Sequence, residues 1–161
     1  MPSKQLGWQG ITLEVPDGWE VTGFSGDYTE GSLRIDDGDS QSCELKWGSW
    51  GKREKKEPDV EFRAESYIGS LERAAKKKKR NLTGKLAPAP KGATRPERLL
   101  AGFTFIGEKK AVGISLYCKE TRRVLIAQVQ GATAKIAEAV LASVEVRDLV
   151  AGWRRWALYD L

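Results

Sequence analysis

A helical stripe set between two runs of strand alternation constrains this chain more than any other feature. From Asp59 to Arg80, apolar residues fall at Val60, Ala64, Tyr67, Ile68, Leu71 and Ala75, with Glu61, Glu65, Glu72 and Arg73 off that face. Pro58 and Asp59 suit a first helical turn, and Lys76–Arg80 suit a last turn, where cations meet the negative end of the helix dipole. Asn81 and Gly84 supply stop signals.

On the N-terminal side, Ile11, Leu13 and Val15 alternate along a Trp8–Val15 strand that Pro16-Asp17-Gly18 closes with turn chemistry. Trp19–Phe24 restarts an extended segment. Ser32–Ile35 is a short strand ended by Asp36-Asp37-Gly38-Asp39, and Cys43, Leu45 and Trp47 alternate with Glu44 and Lys46. On the C-terminal side, Leu86–Pro96 holds Pro88, Pro90, Gly92 and Pro96 and reads as a loop. Leu99–Ile106, Ala111–Cys118 and Val124–Val129 read as three strands joined by turns at 107–110 and 119–123. Ile136, Val140 and Val144 then mark a second helix over Ala132–Val144. The order ββββ-α-βββ-α predicts an α+β fold, an antiparallel sheet of about six to seven strands with two helices packed on it. Residues 1–148 form one domain on this reading. Residues 149–161 are either a final edge strand or the start of a truncated second repeat, since Trp156–Leu161 laid on Trp8–Leu13 keeps a Trp and a Leu.

Composition removes several functions. The chain has no histidine, so no Ser-His-Asp triad, Cys-His dyad or histidine zinc site can form. Two cysteines cannot build a four-thiolate zinc site, and Cys43 and Cys118 lie on the apolar sides of strand patterns, which makes them core thiols. The strand patterns also leave room for the two to face each other across the sheet. Neither a Gly-x-Gly-x-x-Gly nor a phosphate-loop motif occurs. Glu14, Asp17 and Glu20 cluster at one turn and read as exposed rather than as a hydrolytic pair. The Asp36–Asp39 turn fails the calcium-loop pattern because its twelfth position is Trp47, not Glu. No catalytic residue, metal or cofactor is expected. The start Met1-Pro2-Ser3-Lys4 lacks a secretory pattern and no span suits a bilayer, so a cytoplasmic location with reduced thiols is expected.

The net charge of +5 is unevenly placed, with an acidic first third and a basic middle. Lys76, Lys77, Lys78, Lys79 and Arg80 form its sharpest run, able to neutralise phosphates in a salt-dependent, sequence-blind way, or simply a solvated helix end. Lys52, Arg53, Lys55 and Lys56 come before the same helix, about 24 residues upstream and roughly 36 Å away at the helical rise, too far to complete one compact site. Of the six tryptophans, only those in Trp153-Arg154-Arg155-Trp156 interleave with cations as base stacking requires, adding Arg154 and Arg155 to the candidate binding residues.

Val15-Pro16-Asp17-Gly18-Trp19-Glu20 near the start and Leu141-Ala142-Ser143-Val144 near the end, with the element order between them, resemble the PsbP-like superfamily. That group includes photosystem II extrinsic subunits, a Ran-binding nuclear-import factor and many bacterial proteins. The resemblance implies a bacterial or archaeal member that works as a non-catalytic binding or adaptor domain. Its expected partner is a protein or a continuation of its own chain, and nucleic acid bound through Lys76–Arg80 is the alternative.

Overall fold

Gln9 and Gly10 both take positive φ, 51° and 82°, the backbone that a two-residue hairpin turn of the right twist requires. They join β1 (Ser3–Trp8), a strand that the sequence pattern does not predict, to β2 (Ile11–Pro16), which takes the place of the predicted Trp8–Val15 strand, paired in register as Trp8↔Ile11 and Leu6↔Leu13. An ideal Cβ on Gly10 would lie 2.5 Å from the Arg147 carbonyl oxygen, so this turn has neither conformational nor steric room for a side chain. The computed structural model describes residues 2–51, 53–147 and 159–160.

The remaining elements are β3 (Glu20–Gly26), β4 (Gly31–Asp36), β5 (Ser42–Ser49), α1 (Val60–Lys77), β6 (Thr83–Ala87), β7 (Arg98–Ile106), β8 (Lys110–Cys118), β9 (Arg123–Gln130), α2 (Ala134–Ala142), β10 (Glu145–Val146) and β11 (Tyr159–Asp160). Seven strands form one antiparallel sheet in the order β3-β4-β5-β9-β8-β7-β6, and a small sheet runs β10-β2-β1-β11. The fold is α+β as predicted. The difference lies in short elements: β1 ahead of the first predicted strand, β6 between the predicted helix end and the predicted loop, which it overlaps at Leu86 and Ala87, and β10 after α2. β6 carries only one β-branched residue, and its pairing with the aromatic-rich β7 overrides that weak local signal.

The two faces of the large sheet are buried differently. The small sheet and α2 cover one face, where Trp8, Leu13, Ile35, Leu45, Ile114 and Leu141 share a core. α1 covers the other face mainly over β6–β8, placing Ala64 and Ile68 on Phe103, Phe105 and Ala111, and reaches β9 where the Gln128 amide donates to the Tyr67 hydroxyl at 2.8 Å. Asp59 caps α1 by accepting from the Phe62 N–H at 3.0 Å, and Thr133 caps α2 by accepting from Ile136. The outward face of β3–β5 carries no helix and is knitted by polar pairs, Arg34 with Glu44 and Asp36, and Thr22 with Asp36.

Cys43 and Cys118 are both buried and free, but they do not face each other. Cys43 sits across from Val129 on β9, whereas Cys118 sits across from Arg123 at the opposite end of that strand. Tyr159–Asp160 pairs with β1 at Gly7 and Leu6. The choice between edge strand and second repeat for 149–161 otherwise lies outside the described residues.

Candidate functional site

The basic run closes α1 through a specific backbone device. The Arg80 N–H donates to the Ala75 carbonyl at 2.8 Å and the Lys79 N–H to Lys76 at 3.0 Å, the double bond pattern of a Schellman end. Lys79 holds the left-handed position, φ 58°, that glycine normally takes. Lys79→Gly is therefore expected to stabilise the fold by about 0.5–1 kcal/mol, raising Tm by about 2–4 °C in a thermal melt. Lys76–Arg80 are all exposed; Arg80 pairs with Glu108 at 3.0 Å, and among the described residues the four lysines make no ion pair. Arg53, Lys55 and Lys56 lie before the other end of α1, 18 residues of helix away, so the two basic segments stay apart, and Lys52 lies outside the described residues. Arg154 and Arg155 lie outside the described residues.

The other charged clusters serve the fold itself. The Asp37 carboxylate accepts from the N–H groups of Asp39 at 2.9 Å and Gln41 at 3.0 Å. Those bonds hold its pKa below the usual carboxylate range, as the Thr22 hydroxyl and then the Gly38 N–H do for Asp36. A depressed folded pKa contributes stability that is complete above the ordinary carboxylate value and lost as pH falls through the lowered one. Thermal melts should therefore show Tm falling below about pH 4, with a smaller fall for Asp37→Asn. Lys4 pairs with Glu20 at 2.7 Å, and Glu14, Asp17 and Glu20 are exposed, as the turn pattern predicts.

Trp8, Trp19 and Trp47 are core residues, and the Trp47 indole N–H donates to the Asp27 carbonyl at 2.8 Å. Burial, reinforced by Glu44, pushes the Cys43 thiol up to about 12. Cys43 is therefore expected to resist alkylation at pH 8 in the native protein and to react fully in denaturant, read by mass spectrometry on peptides.

Three arginines that the sequence pattern did not single out organise the end of the sheet near α2. Arg98, only 7% exposed, donates through Nε and Nη2 to the Ala93 carbonyl and through Nη1 to Val144 at 2.6 Å. Arg95 donates to the Ala142 and Gly92 carbonyls and pairs with Glu145 at 2.9 Å. Arg123 is buried, its guanidinium carbon 4.0 Å from the centre of the Tyr28 ring. Arg98 and Arg123 stand at strand starts in phase with apolar residues, a pattern that signals a buried cation only once the carbonyls around it are known.

Among the described residues, a depression of about 260 Å³ lies on β3–β5 at Phe24, Arg34 and Lys46, and two troughs are each walled by a helix. The first, about 490 Å³, lies between β2 and α2, where Val15, Ile136 and Val140 are flanked by Glu14 and Lys135. The second runs between α1 and β6, as a stretch of about 370 Å³ along Glu65, Ile68, Glu72, Gly84 and Lys85 and an adjoining one of about 190 Å³ at Glu61, Ala87 and Gly102, with Leu86 lining both.

This architecture is a PsbP-like fold, a seven-stranded antiparallel sheet flanked by two helices and an N-terminal hairpin. It is similar to the solution structure of cyanobacterial PsbP (CyanoP) from Synechocystis sp. PCC 6803, with a TM-score of 0.61 and 9% identity over 91% of this chain and 94% of that one. No protein-family profile matches the sequence, and no curated protein matches it. Among the described residues, no helix is long and apolar enough to cross a membrane, and no group of three or more carboxylates or thiols is placed to hold a metal ion.

Proposed function

We propose that this chain is a non-catalytic binding domain that engages another macromolecule, a protein or a continuation of its own chain, through a trough at a sheet edge. The observation that carries this reading is the form of the two troughs. Each has one helical wall, one strand wall and a mixed apolar and charged lining, which suits the side chains of a partner. The charged clusters elsewhere support it, because Asp36, Asp37, Arg95 and Arg98 are committed to the protein's own backbone. Two buried free thiols fit a reducing, cytoplasmic setting.

Photo-crosslinking from Ile136 in the first trough and Glu65 in the second tests the proposal. A discrete protein captured at one trough, which rebinds when purified, supports it; no adduct from either position overturns it. Four exposed lysines without an ion pair among the described residues favour a second reading, sequence-blind binding of anionic polymers at Lys76–Lys79. Anisotropy titration of a labelled single strand and a duplex decides it. Micromolar binding that weakens steeply with salt supports it, and no binding at low salt removes it.

A further inference from the structure

β6 ends the large sheet, and among the described residues no strand pairs with its outer edge. An unpaired edge presents main-chain donors and acceptors to any extended chain that reaches it. Here the Gly84 N–H is met only by the Glu72 carboxylate at 3.4 Å, a long contact where a neighbouring strand would offer a carbonyl. The α1 wall above this edge carries Glu61, Glu65 and Glu72, none of which has an ion pair among the described residues, over Ile68 and Leu86, with the exposed Lys85 of β6 as a cation in the same lining, so three carboxylates face one ammonium. Glu61 and Glu65 are four residues apart, about 6 Å along the helix, which matches the ~6.7 Å between alternate residues of an extended strand. Glu72 lies about 10.5 Å beyond Glu65, within reach of a long cationic side chain.

We propose that the α1–β6 trough binds an extended basic peptide of a partner protein as an eighth strand, with lysines or arginines at alternate positions facing Glu61, Glu65 and Glu72. The proposal rests on the reading of the chain as a binding domain and names the partner's chemistry. β6 supplies register and main-chain bonds, and the carboxylates supply the preference for cations. Lys76 in the last turn of α1 and Lys79 just past its C-cap repel cations that would slide past Glu72.

The test uses the full chain labelled with ¹⁵N and two synthetic heptapeptides, one alternating lysine with threonine and valine, the other with glutamate in place of lysine. The expected result is binding of the lysine peptide alone, with the largest amide shifts and new exchange protection at Gly84 and Leu86. Glu61→Gln/Glu65→Gln/Glu72→Gln should weaken it about tenfold while leaving the free protein's spectrum otherwise unchanged. Equal binding of both peptides, an unchanged affinity in the triple variant, or no binding overturns the proposal. Shifts confined to the β2–α2 trough also overturn it, yet they leave the binding-domain reading standing; that reading fails separately, through the crosslinking experiment.

Discussion

Arg98→Met is expected to lower the unfolding free energy by about 3 kcal/mol, measured by urea titration. The guanidinium fills three donor positions against the Ala93 and Val144 carbonyls, and methionine of similar reach fills the volume but donates nothing. Two buried carbonyls then lose charged donors, each at a cost of about 1–3 kcal/mol. The effect is amplified by location: Ala93 lies in the proline-rich loop before β7, and Val144 follows α2, so one side chain ties two segments distant in sequence. Arg98→Lys should recover less than half of the loss, because an ammonium cannot reproduce the two-nitrogen grip on Ala93. A loss under 1 kcal/mol in the methionine variant would mean that the two segments are held by packing alone.

Gly113→Ala is expected to cost about 3 kcal/mol in the same measurement. Gly113 pairs with Phe103 across β7 and β8, and the phenyl ring lies over the glycine. An ideal Cβ there would sit 2.2 Å from the ring's Cζ, with two more ring atoms within 2.7 Å. Phe103 is fully buried under Ala64 and Ile68, so the ring cannot yield without lifting α1. Adding Phe103→Leu should relieve part of the clash, making the double variant less unstable than the sum of the singles. Strict additivity would show that the glycine matters for its backbone rather than for the space it leaves.

The long elements were legible because their periodicity is forced by burial. The α1 stripe at Ala64, Ile68 and Leu71 and the β8 alternation at Ile114 and Leu116 each face a core, and each element lies within a residue or three of its expected bounds. The short elements were not, because their signals are not hydrophobic. The Gln9-Gly10 turn depends on φ, and β6 depends on a neighbouring strand. The candidate site divides the same way. The run Lys76–Arg80 could be read directly, but the α1–β6 trough could not, since Glu61, Glu65 and Glu72 look like an ordinary solvated helix face until β6 is placed beside them. Arg98 escaped notice for a related reason: its partners are carbonyls, which leave no mark in a sequence.

The strand order has a consequence for assembly in time. β3-β4-β5 is a meander built from residues 20–49, and β6-β7-β8-β9 is a second one built from residues 83–130. A single ladder joins them, residues 42–49 against 123–130. Each meander can form from neighbours in the chain, whereas the seam between them waits for a long loop to close, the slow step in a fold of this topology. The segment between β5 and α1 is thus the natural place to cut this protein in two: each piece keeps a whole meander, and reunion needs the β5–β9 seam together with the docking of β10, β11 and α2 on the β1–β2 hairpin.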